Sequence, residues 1–158
     1  MKHLLLLLIP LFTDPTLTVK STAFENNTVI PEIYTCKGSN INPPLSIEGI
    51  PTNTKSLALV VSDPDAPKEI FDHWVVWNIP VTPTIGQNSI PGTQGLNGNK
   101  ENKYTGPCLP EEIHHYHFKV YALDIKPELA GNADKTALEE AMRGHVVATG
   151  ELIGLCGK

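Results

Sequence analysis

The sequence predicts a mainly β protein: an antiparallel β-sandwich with one late α-helix and long loops that flank a pocket. The 158 residues include 14 Pro and 12 Gly, and only 18% are charged, a mixture typical of short strands joined by many turns. Strand-like apolar runs recur along the chain, whereas helical periodicity occurs once. Packing antiparallel sheets against each other is the simplest way to bury many short strands without crossover helices.

The N-terminal segment, residues 1–16, has two interpretations. A basic start precedes the apolar run from Leu4 to Phe12, which is the pattern of a secretory signal but far short of the ~20 residues that span a bilayer. No Ala-x-Ala-like cleavage site follows, so an N-terminal apolar strand is the alternative. We therefore expect a periplasmic or secreted protein, with a cytoplasmic one as the alternative, and a single domain over residues 17–158.

Strands are predicted from alternation and from continuous apolar runs. Residues 17–21 alternate as a half-buried strand does, and residues 24–33 hold two short extended pieces broken by polar residues 25–27. Residues 40–45 are predicted to be loop, because adjacent prolines cannot sit in a paired central strand. The remaining predicted strands are 57–61, 74–79, 115–123, 146–148 and 151–153, the last two separated at Gly150.

One long loop and one helix complete the prediction. Residues 80–105 are rich in Gly, Asn, Pro and Thr and show no period, which indicates a surface loop of the kind that often carries function. Residues 134–143 have helical spacing, with Asp134 as N-cap and Gly144 as the stop.

The most informative segment is the acidic loop Ser62–Pro67. Its two carboxylates, Asp63 and Asp65, alternate with prolines that hold the chain extended, and His73 opens the next strand. Acids on a stiff loop between two strands favour a binding pocket. Two alternatives are turn-forming aspartates that bond nearby backbone N–H groups, and a dyad that shares one proton.

The histidines at 114, 115 and 117 cannot form one cluster on a regular strand. Because strand side chains alternate, His114 and Tyr116 share one face while His115 and His117 share the other. His115 and His117 have the spacing of a metal-binding pair, but no third ligand is indicated. We expect them to be exposed imidazoles on a solvated face.

Composition and missing motifs limit the function classes. A net charge of −5 without a basic run argues against nucleic acid. Gly-x-Ser-x-Gly is absent, and the remaining hydrolase alternative pairs Cys108 with His114 as a thiolate and imidazolium. The three cysteines predict one disulfide and one thiol if the protein is exported, or three reduced thiols if it stays in the cytoplasm. A zinc site is the least supported alternative, because the sequence has no Cys-x-x-Cys pair.

From about Val19 to the C-terminus the chain resembles the phosphatidylethanolamine-binding protein family, also called Raf kinase inhibitor-like proteins, in its bacterial and archaeal branch. The motifs that carry the resemblance are Tyr34-Thr35-Cys36-Lys37-Gly38, Asn42-Pro43-Pro44-Leu45, Asp63-Pro64-Asp65-Ala66-Pro67, His73-Trp74-Val75, Gly106-Pro107-Cys108, His114-x-Tyr116 and Tyr121-Ala122-Leu123-Asp124. The chain departs from the family pattern at His115, where an Arg is usual, and at Leu109, which replaces a Pro.

The resemblance implies the β-sandwich fold and a ligand pocket in which Asp63 orients His73 through a hydrogen bond and Pro107 forms a wall. It also implies that Cys36 and Cys108 are neighbours able to form a disulfide, with Cys156 outside it. The ligand-binding residues implied are Asp63, His73, Gly106, Pro107, His114 and Tyr116.

The resemblance further implies binding rather than turnover, without a cofactor or metal. The ligand expected is a small anion or zwitterion such as phosphate, phosphoethanolamine or acetate, bound by imidazolium and phenol donors. The expected role is regulation by binding or inhibiting a kinase or protease, with residues 80–105 as the contact surface.

Overall fold

A computed structural model describes residues 15–108 and 110–158, so residues 1–14 of the predicted signal or apolar segment lie outside the described residues. Within the described ranges the chain is mainly β, as predicted, with nine strands, one short 3₁₀-helix and one late α-helix. The elements are β1 (Thr18–Lys20), β2 (Thr28–Val29), the 3₁₀-helix (Glu32–Tyr34), β3 (Leu45–Glu48), β4 (Ser56–Asp63), β5 (Phe71–Ile79), β6 (Thr84–Ile85), β7 (Thr93–Gln94), β8 (His114–Leu123), α1 (Lys135–Met142) and β9 (Val146–Cys156).

The strands form two sheets. The smaller has the order β1-β3-β6, and the larger has the order β2-β9-β8-β4-β5-β7. All neighbouring strands are antiparallel except β2 and β9. The strands predicted at 57–61, 74–79 and 115–123 correspond to β4, β5 and β8, which are neighbours in the larger sheet.

The main core lies between the two sheets. Ile47 of the smaller sheet and Val76 and Val120 of the larger one belong to the same buried cluster. Val60, on the opposite face of the larger sheet, is 2% exposed, while Val76 and Val120 are fully buried. Burial of each of these three valines contributes about 1.5–3 kcal/mol.

The helix α1 covers the outer face of the larger sheet. Its Leu138 and Met142 pack with Val75 and Trp77 in a second buried cluster. Asp134 is the N-cap, and its side chain accepts a hydrogen bond from the Ala137 N–H at 3.1 Å. Among the described residues, no helix has the length and apolar character needed to cross a membrane.

Three details differ from the sequence prediction. Strand β3 (Leu45–Glu48) was not predicted, and its first residue lies within the predicted loop 40–45. The predicted loop 80–105 contains β6 and β7, each of two residues, which is too short to leave a periodic signal. The last strand is continuous through Gly150. A Cβ at that position would collide with the carbonyl of Leu17, so the glycine permits a close backbone approach without ending the strand.

Candidate functional site

A β-bulge in β5 turns His73 toward the inner face of the larger sheet. Trp74 pairs with Val61 and Asp72 pairs with Ser62, so His73 is the extra residue between them. Trp74 packs in the core between the sheets, whereas Asp72 accepts the Ser62 hydroxyl at 2.9 Å on the outer face. A bulge re-aims side chains locally, and here it brings His73 to the same face as Trp74.

Asp63, the last residue of β4, holds His114, the first residue of β8. Asp63 is only 4% exposed, and its Oδ2 accepts a hydrogen bond from His114 Nδ1 at 2.7 Å. Its Oδ1 accepts the backbone N–H of Asp65 at 2.9 Å, so both buried oxygens are satisfied. The prediction that Asp63 orients His73 was wrong, because its imidazole partner is His114.

His73 is instead held by the backbone of the loop that crosses the site. Its Nδ1 lies 2.6 Å from the carbonyl oxygen of Thr105. A carbonyl can only accept, so Nδ1 carries the proton and Nε2 of the neutral ring is an acceptor. Burial lowers the pKa of His73, an effect that the bond to Thr105 and the charges of Asp63 and Asp72 only partly offset. His73 is therefore neutral at pH 7.

Tyr116 lies between the two imidazoles at the floor of the site. Its ring meets His73 edge-on at 5.1 Å between centroids and stacks with His114 at 6.4 Å. Burial raises the pKa of Tyr116 well above its ordinary value, and the facing Asp63 carboxylate raises it further. The phenol therefore keeps its proton and is a neutral hydroxyl at every physiological pH.

The four polar residues predicted from three separate segments line one cavity of about 330 Å³. This volume is in the range of small-molecule sites. The polar floor consists of Asp63, His73, His114 and Tyr116. The surrounding wall consists of Ala66, Pro67, Phe71, Asn99, Thr105, Gly106, Cys108 and Pro110.

Gly106 allows the wall to approach the neighbouring segment. Its N–H donates to the side-chain oxygen of Asn40 at 2.7 Å. A Cβ at Gly106 would collide with the carbonyl of Tyr34, so no other residue fits without moving the wall.

Pro107 does not line the cavity, which corrects the prediction that it forms a wall. Its carbonyl accepts the N–H of Cys36 at 2.9 Å, and the prolines in the wall are Pro67 and Pro110. The role of Pro107 is thus to tie the wall to the segment around Cys36.

A disulfide joins Cys36 to Cys108, with 5.2 Å between the Cα atoms, and thereby anchors the cavity wall. Because the sulfur of Cys108 is in this bond, it is not a thiolate nucleophile, and the thiol hydrolase alternative with His114 loses its reactive group. Cys156, buried at the end of β9, lies outside the disulfide.

Asp65 has the structural role predicted as the alternative to a dyad. Its carboxylate accepts both the backbone N–H and the imidazole Nδ1 of His115 at 2.8 Å. These hydrogen bonds lower the pKa of Asp65, whose side chain is exposed. The contact fastens the acidic loop to the start of β8, outside the cavity.

His117 faces solvent on the same side of β8 as His115 and pairs with Glu151 at 3.0 Å. Within residues 15–108 and 110–158, no three His, Cys, Asp or Glu side chains are grouped so as to hold a metal ion.

A second, more polar cavity of about 370 Å³ lies on the helix side of the larger sheet. Its Lys135 lies 3.4 Å from Asp72 and 4.0 Å from Glu139. The cavity lining is net acidic, with the carboxylates of Glu69, Asp72, Asp134 and Glu139 against the ammonium groups of Lys100 and Lys135. It contains no histidine and is a weaker candidate for an anion site.

Sequence reasoning missed Thr105 and Phe71. Thr105 directly precedes the Gly106 motif, and only its backbone carbonyl acts on His73. Phe71 contacts His73 edge-on, with ring centroids 4.8 Å apart, and forms part of the wall. An isolated Phe at a strand end, or an isolated Thr in a loop, carries no signal of such a role.

Known proteins share this sequence pattern and fold. The profile of the phosphatidylethanolamine-binding protein family matches residues 20–157. A UPF0098 protein from Pyrococcus horikoshii is 48% identical over 146 residues, covering 85% of this chain and 74% of the relative. A UPF0098 protein from Methanothermobacter thermautotrophicus is 43% identical over 147 residues, covering 88% of this chain and 97% of the relative.

Solved structures of this family have the same fold as the chain. The crystal structure of a phosphatidylethanolamine-binding protein homologue from Chlamydia trachomatis superposes with a TM-score of 0.87 at 38% identity, covering 91% of this chain and 99% of the other. The structure of E. coli YbcL, described as a new member of the mammalian PEBP family, superposes with a TM-score of 0.82 at 27% identity, covering 90% and 98%. The chain belongs to the phosphatidylethanolamine-binding protein family.

Proposed function

We propose that the protein binds a small phosphate-bearing ligand, either a free anion or a zwitterionic phospho-headgroup, in the cavity floored by Asp63, His73, His114 and Tyr116. The observation that carries this proposal is the convergence of these side chains at one cavity of about 330 Å³, with Asp63 fixing His114 at 2.7 Å. A cavity of this size accommodates a headgroup, not a whole lipid.

The charges of the floor favour a zwitterion over a bare anion. An imidazolium at His114 donates to a phosphate oxygen, while the Asp63 carboxylate beside it repels a second negative charge and attracts an ammonium. The net charge of −5 opposes long-range recruitment of anions, so the local donors alone hold the ligand. Phosphoethanolamine therefore fits better than phosphate or acetate.

Calorimetric titration with phosphoethanolamine tests the proposal. Binding should be weak and reduced at least about tenfold by His114→Ala, since that change removes a hydrogen-bond donor to the ligand oxyanion. His117→Ala on the outer face of the same strand is the matched control and should bind as wild type. Equal losses in the two variants, or no binding to the wild type, would refute the proposal.

A regulatory role is the second part of the proposal: the protein binds or inhibits a kinase or protease rather than turning over a substrate. It is supported by the family resemblance and by Val81 and Ile90, which are 49% and 73% exposed in the predicted contact segment 80–105. Inhibition of a purified kinase or serine protease by the wild type should be lost in a Val81→Ser, Ile90→Ser double variant. Inhibition unchanged by the double variant would exclude this segment as the contact surface.

We also propose that the protein acts in an oxidising compartment, the periplasm or the exterior. The disulfide between Cys36 and Cys108 supports this, because such bonds persist mainly outside the cytosol. Mass mapping of protein isolated from its native cells should find this bond formed, and fully reduced cysteines there would contradict the proposal.

A further inference from the structure

The acceptor state of His73 sets a requirement on the ligand. The bond from Nδ1 to the Thr105 carbonyl, at 2.6 Å, fixes the neutral tautomer whose Nε2 bears a lone pair. No hydrogen bond to this Nε2 occurs within the part of the chain that the structure describes, and the ring lines the cavity. The lone pair is therefore available to a ligand, but only to one that brings a proton donor.

The surroundings of His73 keep the ring neutral at pH 7. The charged groups that act on its pKa are Asp63 from β4, Asp72 on the outer face of its own strand, and His114 from β8, and the Tyr116 ring of β8 packs against it. The carboxylates favour an imidazolium, but burial outweighs them. Among the residues that the structure describes, no carboxylate bonds the ring directly, in contrast to His114.

The two imidazoles are thus inequivalent. His114 has a carboxylate on its Nδ1–H, so an imidazolium there is compensated and can donate Nε2–H to an oxyanion. His73 has only a neutral carbonyl on its Nδ1–H and presents an acceptor. A ligand that bonds to both rings must accept a hydrogen bond from His114 and donate one to His73.

We infer that the cavity selects oxyanions that carry their own proton donor, through His73, and that it therefore discriminates hydrogen phosphate from sulfate. This inference rests on the proposed function. Hydrogen phosphate has a P–OH group that can donate to Nε2, and a phosphoethanolamine headgroup has an ammonium that can do the same. Sulfate has nearly the same shape but no proton near neutrality, so its oxygens oppose the Nε2 lone pair and leave that buried acceptor unsatisfied.

Calorimetry at pH 7 with two pairs of probes tests the inference. The first pair is inorganic phosphate and sulfate; the second is glycerophosphoethanolamine and glycerophosphocholine, which differ in whether the nitrogen bears protons. The wild type should prefer the donor-bearing member of each pair by at least about tenfold, the effect of one buried hydrogen bond. Tighter binding of phosphate than of glycerophosphoethanolamine would identify a free anion as the ligand source, and the reverse order a lipid headgroup.

His73→Asn separates selection from general damage to the site. The asparagine amide can still donate to Thr105 but offers nothing in place of Nε2, so phosphate should weaken toward the level of sulfate and both preferences should disappear. His117→Asn, the same substitution on the outer face, should keep both preferences.

Equal binding of phosphate and sulfate by the wild type overturns the inference while leaving the proposed function intact, and this comparison needs no variant. Preferences that persist in folded His73→Asn protein overturn the role of His73. If none of the four probes binds, the proposed function fails and the inference falls with it.

Discussion

The Asp63 carboxylate and the His114 imidazole, 2.7 Å apart, join the end of one central strand to the start of its neighbour. The pair is buried, and the second oxygen of Asp63 accepts the backbone N–H of Asp65 at 2.9 Å. One side chain thus shapes the acidic loop and sets which nitrogen of His114 faces the cavity. Loop, strand and cavity floor depend on each other through this contact.

Replacing Asp63 by Ala should weaken phosphoethanolamine binding at least about tenfold, because His114 loses both its orientation and the charge that compensates its imidazolium. Asp124→Ala is the matched control, since it breaks a similar contact of 2.9 Å to His145 away from the cavity. Titration calorimetry of the two folded variants makes the comparison. Similar losses in both would indicate a general effect and contradict the assignment.

Acid should destabilise the protein through His73. Burial places its folded pKa below the unfolded value of ~6.5, so the unfolded chain binds the proton more readily. The free energy of unfolding then falls as the pH drops below about 6.5 and toward the folded pKa. Urea unfolding between pH 7.5 and 5 should show wild type losing stability relative to His73→Asn. A constant difference between the two proteins across that range would contradict the buried neutral ring.

Reduction of the disulfide should destabilise the protein by about 2–4 kcal/mol, since the bond closes a loop with a sequence separation of 72 residues. Ligand binding should also weaken, because Cys108 lines the cavity. Thermal and urea unfolding with and without reductant measure the first effect. A Cys36→Ser, Cys108→Ser variant serves as the control, in which reductant should change neither property.

The core between the sheets can be tested at Leu59. This residue is fully buried in β4, so Leu59→Ala should cost about 2–5 kcal/mol of unfolding free energy. Ile90→Ala at a site that is 73% exposed should change stability by only about 0.5 kcal/mol or less. Comparable losses at both positions in urea unfolding would be incompatible with this packing.

Local patterns were enough to predict the central strands and the helix. The run Leu57–Val61 is apolar at every position because both faces of β4 are covered, by the smaller sheet and by α1. The helix was predicted from its apolar spacing and from Asp134, whose side chain caps it as expected. The two-residue strands β6 and β7 and the four-residue strand β3 were missed because such short segments have little room for a period.

The site was harder to predict because its contacts depend on pairing between strands. Regular alternation would put His73 on the face of Val75, and only the register of β5 against β4 shows the bulge that reverses it. The partner of Asp63 likewise depends on which strand end lies beside the acidic loop. The sequence could indicate which residues form the site. It could not show that Asp63 bonds to His114, or that the carbonyl of Thr105 bonds to His73.

The most direct test of the central claim is a histidine-ring NMR titration, in which ¹H–¹⁵N correlations of all imidazoles are followed as phosphoethanolamine is added near pH 6.5. The ring nitrogens of His73 and His114 should shift together and saturate with one affinity, while those of His115, His117 and His145 should not move. Shifts confined to the exposed histidines, or no shift at His73 and His114 at saturating ligand, would contradict binding in this cavity.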